Sequence, residues 1–164
     1  MNMREIVRQN KNSDAMLTQI RATKQICLAG ESMLPSLDPQ SIQTLFISEP
    51  EQYRVGDVVV FAYDRSIVGV SVHRIVRVDT DTVITKGDNN FRCDDDISKR
   101  ALIGKVEKAL LQNFRVVAVA SSKRIARLSL WEDRLSRRLG RGMQARLHAL
   151  LVKMYCRILK KGDK

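Results

Sequence analysis

No stretch of this chain approaches the ~18 continuous apolar residues that a membrane-spanning helix needs. The longest apolar run near the C-terminal end covers residues 116–120 only. The first 25 residues mix charges with short apolar steps and hold no apolar core of the secretory kind, so no export signal and no membrane anchor are expected. Cysteine is scarce. Cys27, Cys93 and Cys156 lie far apart, an odd number without ligand spacing. That excludes a closed disulfide framework, gives no metal set, and fits a reducing, cytoplasmic setting. Aromatics make up 5% of the chain. There is no internal repeat and no glycine-rich phosphate loop, so neither a metal nor another cofactor is expected. Histidine is scarcer than cysteine: one stands in the middle of the chain, His73, and one near its end, His148.

What is present is a chain of 164 residues, long enough for one domain with a real core. Its formal net charge is +11 and is unevenly spread. From Ser121 onward thirteen Lys/Arg face three Asp/Glu, a net +10, whereas the first 120 residues carry sixteen against fifteen. The basic character belongs to the tail.

Three segments follow from the pattern. Residues 1–24 read as a modestly amphipathic helical segment, with Ser13-Asp14 as a cap and Met16, Leu17 and Ile20 as its apolar side. Residues 25–120 hold short strand candidates separated by turns: the end of 25–29, then 42–48, 58–63, 67–78, 82–85, 101–109 and 114–120. The run Val58-Val59-Val60-Phe61 is continuous, as in a strand buried on both faces. In 67–78 the valines 68, 70, 72, 76 and 78 share a face interrupted by Arg74, and His73 falls opposite with Ser71 and Arg77, toward a more open side. The fold class expected is mainly β, a coiled sheet with a short N-terminal helix and a C-terminal helical tail. From residue 121 to 164 the period becomes helical. Ile125, Leu128, Trp131, Leu135 and Leu139 form one stripe, and Met143, Leu147, Leu150, Leu151, Met154 and Ile158 a second, with His148 an ordinary polar-face residue.

The chemistry-bearing residues are Ser32, His73 and the loop from Gly87-Asp88 to Asp94-Asp95-Asp96. Ser32 follows Gly30 at the lip of a strand and precedes Pro35, where a hydroxyl and a backbone N–H face the same space. A serine needs a base to take its proton. Histidine suits that role near neutral pH, and a carboxylate fixes its tautomer.

Four ordered segments carry a resemblance. Gly30-Glu31-Ser32-Met33-Leu34-Pro35-Ser36-Leu37 resembles the S-M-x-P nucleophile box of type I signal peptidases, and Gly56-Asp57-Val58-Val59-Val60-Phe61 their G-D-I/V-V-x-F strand. Val72-His73-Arg74-Ile75-Val76 is similar to the general-base box, and Thr85-Lys86-Gly87-Asp88-Asn89-Asn90 to K-G-D-N-N. The resemblance covers residues 26–110 and implies the signal-peptidase and repressor-peptidase type of sheet. Histidine rather than lysine in the base box is similar to the endoplasmic-reticulum, archaeal and sporulation-type enzymes. By that resemblance Ser32 is the nucleophile, His73 the base and Asp94 the third residue, with Asp95 a near-equal candidate. Asp88, Gly30 and Met33 are supporting residues. Gly30 stands where many members have a serine that helps the oxyanion hole, Ser36 replaces a threonine, and Pro39-Gln40-Ser41 replaces a glycine-aspartate turn.

Two function classes are expected from this. One is a serine endopeptidase that binds an extended precursor peptide as an added strand and removes a leader or signal-like segment; cleavage after a small residue is implied by the family. The other is a catalytically silent binding module of the same fold. The basic tail is expected to pack on the body and to meet an anionic membrane surface in preference to nucleic acid, since no base-reading motif is present.

Overall fold

The computed structural model describes residues 15–62 and 70–161. Helix α1 spans 15–23. Eight strands follow among the described residues: β1 (Gln25–Ile26), β2 (Ile42–Ser48), β3 (Val58–Ala62), β4 (Val70–Val78), β5 (Thr82–Lys86), β6 (Ile97–Ser98), β7 (Leu102–Leu111) and β8 (Val116–Ala118). Helices α2 (Lys123–Ser136) and α3 (Arg141–Lys161) end the chain. The expected cap at Ser13-Asp14, the turn at residues 64–66, and Tyr63, Ile67 and Val68 of the expected strands lie outside the described residues.

All strand pairs are antiparallel, in the order β1-β2-β7-β3-β4-β5-β6, with β8 added on β7. The fold is therefore mainly β, a curled sheet with a helix before it and two after it, as the spacing of short strands and turns leads one to expect. Strand β6 was not foreseen; two residues are too few to show a period.

Strand β3 explains the two-sided burial expected of Val58-Val59-Val60-Phe61. Val58 and Val60 join Met33, Leu37, Leu45, Val106 and the α1 residue Ile20 in one core. Val59 and Phe61 join Ile75, Val83, Ile97 and Leu102 in a second core on the opposite face. Met16 and Leu17 of α1 pack against the first core, as their spacing predicts. A third cluster of Ile125, Leu151 and Tyr155 holds α2 to α3.

Strand β4 departs from the single valine face. Val72 belongs to the first core, but the register of β4 against β5 shifts between Ile75 and Arg77. One inserted residue turns the following side chains to the other face, and Val78 packs with the second core beside Ile75. Nor is His73 on an open side: it is buried, its ring edge-on to Phe61 with centroids 5.8 Å apart.

Of the tail stripes, Ile125, Leu128, Leu147, Leu151, Met154 and Ile158 meet in the third cluster as expected, and the rest is displaced. The buried face of α2 is Ile125, Ala126, Ser129, Glu132, Asp133 and Ser136, while Trp131 is exposed. In α3 Leu151 and Tyr155 are buried, and Met143 and Leu150 are exposed. Among the described residues no helix is long and apolar enough to cross a membrane.

Candidate active site

Ser32 sits in the turn that follows β1. Leu34 N donates to Glu31 O at 3.1 Å and Leu37 N to Met33 O at 2.9 Å, so the chain curls directly after the serine. Met33 anchors that curl in the first core. Gly30, just before it, has φ +83°, a left-handed conformation that a side chain would strain, and a Cβ there would meet only open space. A serine at this position is thus disfavoured by backbone geometry, not by crowding.

The loop after β5 closes on this turn. Asn89 N donates to Ser32 O at 2.7 Å. A Cβ on Gly87 would lie 2.6 Å from the same carbonyl, so only glycine permits the approach. Strand β4 brings His73 between the two segments. Its Nε2 lies 3.1 Å from Ser32 Oγ, and its Nδ1 lies 2.6 Å from Asp94 Oδ2. A carboxylate only accepts, so Nδ1 carries the proton and donates to Asp94. Nε2 is then left as the acceptor for the Ser32 hydroxyl.

Asp94 is itself held. Its backbone N donates to Thr85 O at 2.9 Å, and Thr85 Oγ1 donates to Oδ2 at 2.5 Å. Within Asp94-Asp95-Asp96 only Asp94 contacts His73. Asp95 is exposed, and Asp96 lies 3.7 Å from Arg77 on the surface. Of the sequence-derived residues, Ser32, His73 and Asp94 converge, Gly30 and Met33 shape the turn, and Asp95 stays outside.

Asp88 lies beneath this turn and is held by a partner that was not foreseen. Its carboxylate accepts from Arg74 Nε at 3.0 Å and Nη2 at 2.9 Å, and from Ser36 Oγ. Arg74 Nη1 donates to Gly56 O at 2.8 Å and Ala120 O at 3.1 Å. Both members of this ion pair are fully buried. One guanidinium fork therefore ties the serine turn, the Asp88 loop and the start of the tail.

A second buried network joins the same loop to the helices. Lys86 Nζ donates to Glu132 Oε2 at 2.7 Å. Glu132 Oε1 lies 2.6 Å from His148 Nδ1, and His148 Nε2 lies 3.0 Å from the Asn89 side-chain amide. His148 is thus not an ordinary polar-face residue; it bridges α2 and α3 to the loop that grips Ser32. Beside it, Asp133 Oδ1 accepts from Cys93 N at 3.1 Å, one residue from Asp94. Burial and the Asp133 charge push the Cys93 thiol up to about 11, so it is chiefly thiol at neutral pH. The only advance signal for these contacts was a pair of carboxylates in an otherwise basic tail.

Among the described residues no group of three or more His, Cys, Asp or Glu side chains is arranged to hold a metal ion. No family model, curated protein or solved structure matches this chain.

Proposed function

We propose that this chain is a serine endopeptidase of the signal-peptidase type, which removes a leader or signal-like segment from a precursor peptide. The observation that carries this reading is the line Ser32 Oγ, His73 Nε2, His73 Nδ1, Asp94 Oδ2, with spacings of 3.1 and 2.6 Å. In the first step Ser32 Oγ bonds to the scissile carbonyl carbon and its proton passes to His73 Nε2. Asp94 stabilises the imidazolium, and backbone N–H groups of the Ser32 turn serve the oxyanion. His73 then gives its proton to the departing amine as the C–N bond breaks. Water, deprotonated by the same nitrogen, frees Ser32 from the acyl group.

The surroundings of Ser32 support an extended substrate. Strand β1 leads into the serine turn and lies at the edge of the sheet, paired on one side to β2. An edge strand offers unpaired backbone groups to an incoming peptide. Beside it lies a groove of about 450 Å³ lined by Met16, Ile20, Ile26, Cys27, Thr44 and Val70. Three free thiols favour a reducing compartment and hence a precursor met in the cytoplasm.

The test is covalent labelling of the purified full chain by a fluorophosphonate, with the adduct located by peptide mapping. Labelling on Ser32, lost in Ser32→Ala and slowed on the order of 10³-fold or more in His73→Ala, is the expected outcome. A wild-type chain that resists the probe, or a label that falls elsewhere, overturns the reading and leaves a binding module.

A further inference from the structure

The outward side of the α2–α3 hairpin has an unusual division of charge. The two carboxylates of the described tail, Glu132 and Asp133, both point into the body, where they meet Lys86, His148 and Cys93 N. The acidic residues of α2 are therefore confined to its inner face, and α3 has none. Arg127, Arg134 and Arg138 of the α2 side and Arg146 and Lys153 of α3 are all exposed. Amid this cationic surface stand three large apolar side chains, Trp131, Met143 and Leu150, with 50%, 58% and 58% of their surface open.

Helix geometry groups these three. At 3.6 residues per turn, the inner face of α2 runs through Ile125, Ser129, Glu132 and Ser136, and that of α3 through Leu147, Leu151 and Tyr155. The helices are joined by residues 137–140 and pack against each other, as antiparallel neighbours. Trp131 then falls on the flank of α2 that overlooks the seam, and Met143 and Leu150 on the facing flank of α3, all turned away from the sheet.

We infer that this outer face docks the protein on an anionic lipid bilayer. Apolar tips that enter the acyl boundary, ringed by basic residues at headgroup level, suit an interfacial helix pair. Charge complementarity selects the lipid: a neutral surface offers nothing to a face whose exposed charges are all positive. Nucleic acid would satisfy the arginines but leave Met143 and Leu150 without a partner. The inference does not depend on the Ser32 chemistry.

Trp131 is the sole tryptophan of the chain, so its emission reports on this face alone. The experiment mixes the full chain with vesicles of phosphatidylcholine and with vesicles that also carry phosphatidylglycerol. Sedimentation with the anionic vesicles, a blue shift of Trp131 and its protection from iodide are expected, with little of either on neutral vesicles. Raising salt to ~0.15 M, where screening acts over about 8 Å, weakens the binding. Each basic residue near an anionic surface is worth roughly a fivefold gain in partitioning, so Arg134→Gln with Arg146→Gln together lowers it roughly 25-fold. Leu150→Ser removes a side chain worth roughly tenfold when buried. Circular dichroism first verifies that each variant is folded. Equal binding to both vesicle types, binding without a Trp131 shift, no vesicle binding, or binding to duplex DNA alone would each overturn the inference.

Discussion

Asp94 and Asp95 are neighbours in one acidic run, yet only Asp94 reaches His73, and Thr85 holds it there. Exchange of that carboxylate for an amide removes the acceptor that fixes the imidazole tautomer. Asp94→Asn is therefore expected to slow the labelling of Ser32 on the order of 10³–10⁴-fold, and Asp95→Asn to leave it within about twofold. Parallel labelling rates check this, and a larger loss in Asp95→Asn would refute the assignment. Cys93 gives an independent check on the same loop. Its raised pKa, about 11, leaves little thiolate at neutral pH, so iodoacetamide should modify exposed Cys27 well before Cys93. At this scale much was legible. A serine after a turn glycine, a lone histidine in a β-rich stretch and an acidic loop are recognisable by type and order. Thr85, Arg74 and His148 were not, because their roles come from partners brought near only by folding: Asp94, nine residues from Thr85, and Asn89, 59 residues from His148.

Helix α2 was legible as a helix but not in its orientation. Periodicity weighs apolar residues, and it picked the side with Ile125, Leu128, Trp131, Leu135 and Leu139, of which Ile125 is buried and Leu128 packs beside it. The side that docks carries Ser129, Glu132, Asp133 and Ser136, because the surface offered by the body is itself polar: the Lys86 ammonium, the Cys93 N–H and the Phe91 carbonyl. A helix facing such a surface buries hydrogen-bonding groups at helical spacing, which a hydropathy period cannot register. Glu132 is the centre of this contact, since it accepts from both Lys86 and His148. Glu132→Ala leaves a fully buried ammonium without its partner. The expected loss is roughly 3–5 kcal/mol in urea denaturation. Lys86→Met combined with Glu132→Leu removes both charges and should recover much of it. If Glu132→Ala costs less than the scatter of surface substitutions, about 0.5 kcal/mol, the buried pair does not hold the hairpin to the body.

For the molecule as a whole, the question is whether the β body and the basic hairpin form one cooperative unit. The sequence separates them sharply, by charge and by period, and suggests a body with an appendage. The structure joins them at several points that are not local in the chain. Ser122 N donates to Gly56 O, Lys86 to Glu132 and Ser136 Oγ to Phe91 O, Asp133 receives Cys93 N, and His148 meets Asn89. The bonded residues include a lysine and two carboxylates, Lys86, Glu132 and Asp133, all buried, and each would lose a partner if the hairpin came away first. Independent opening of α2 and α3 should therefore cost about as much as unfolding the rest. Trp131, the sole tryptophan, reports the hairpin, while far-ultraviolet circular dichroism also reports the sheet. In a urea titration of the full chain the two signals should superimpose, with one midpoint and one slope, the mark of a two-state transition. The same coupling predicts that a chain ending at Ser121 does not hold the Ser32–His73–Asp94 geometry: it is insoluble or expanded, and silent toward a serine-directed probe. A Trp131 transition at clearly lower urea than the sheet signal, together with a shortened chain that stays folded and labels on Ser32, would show the hairpin to be an appendage.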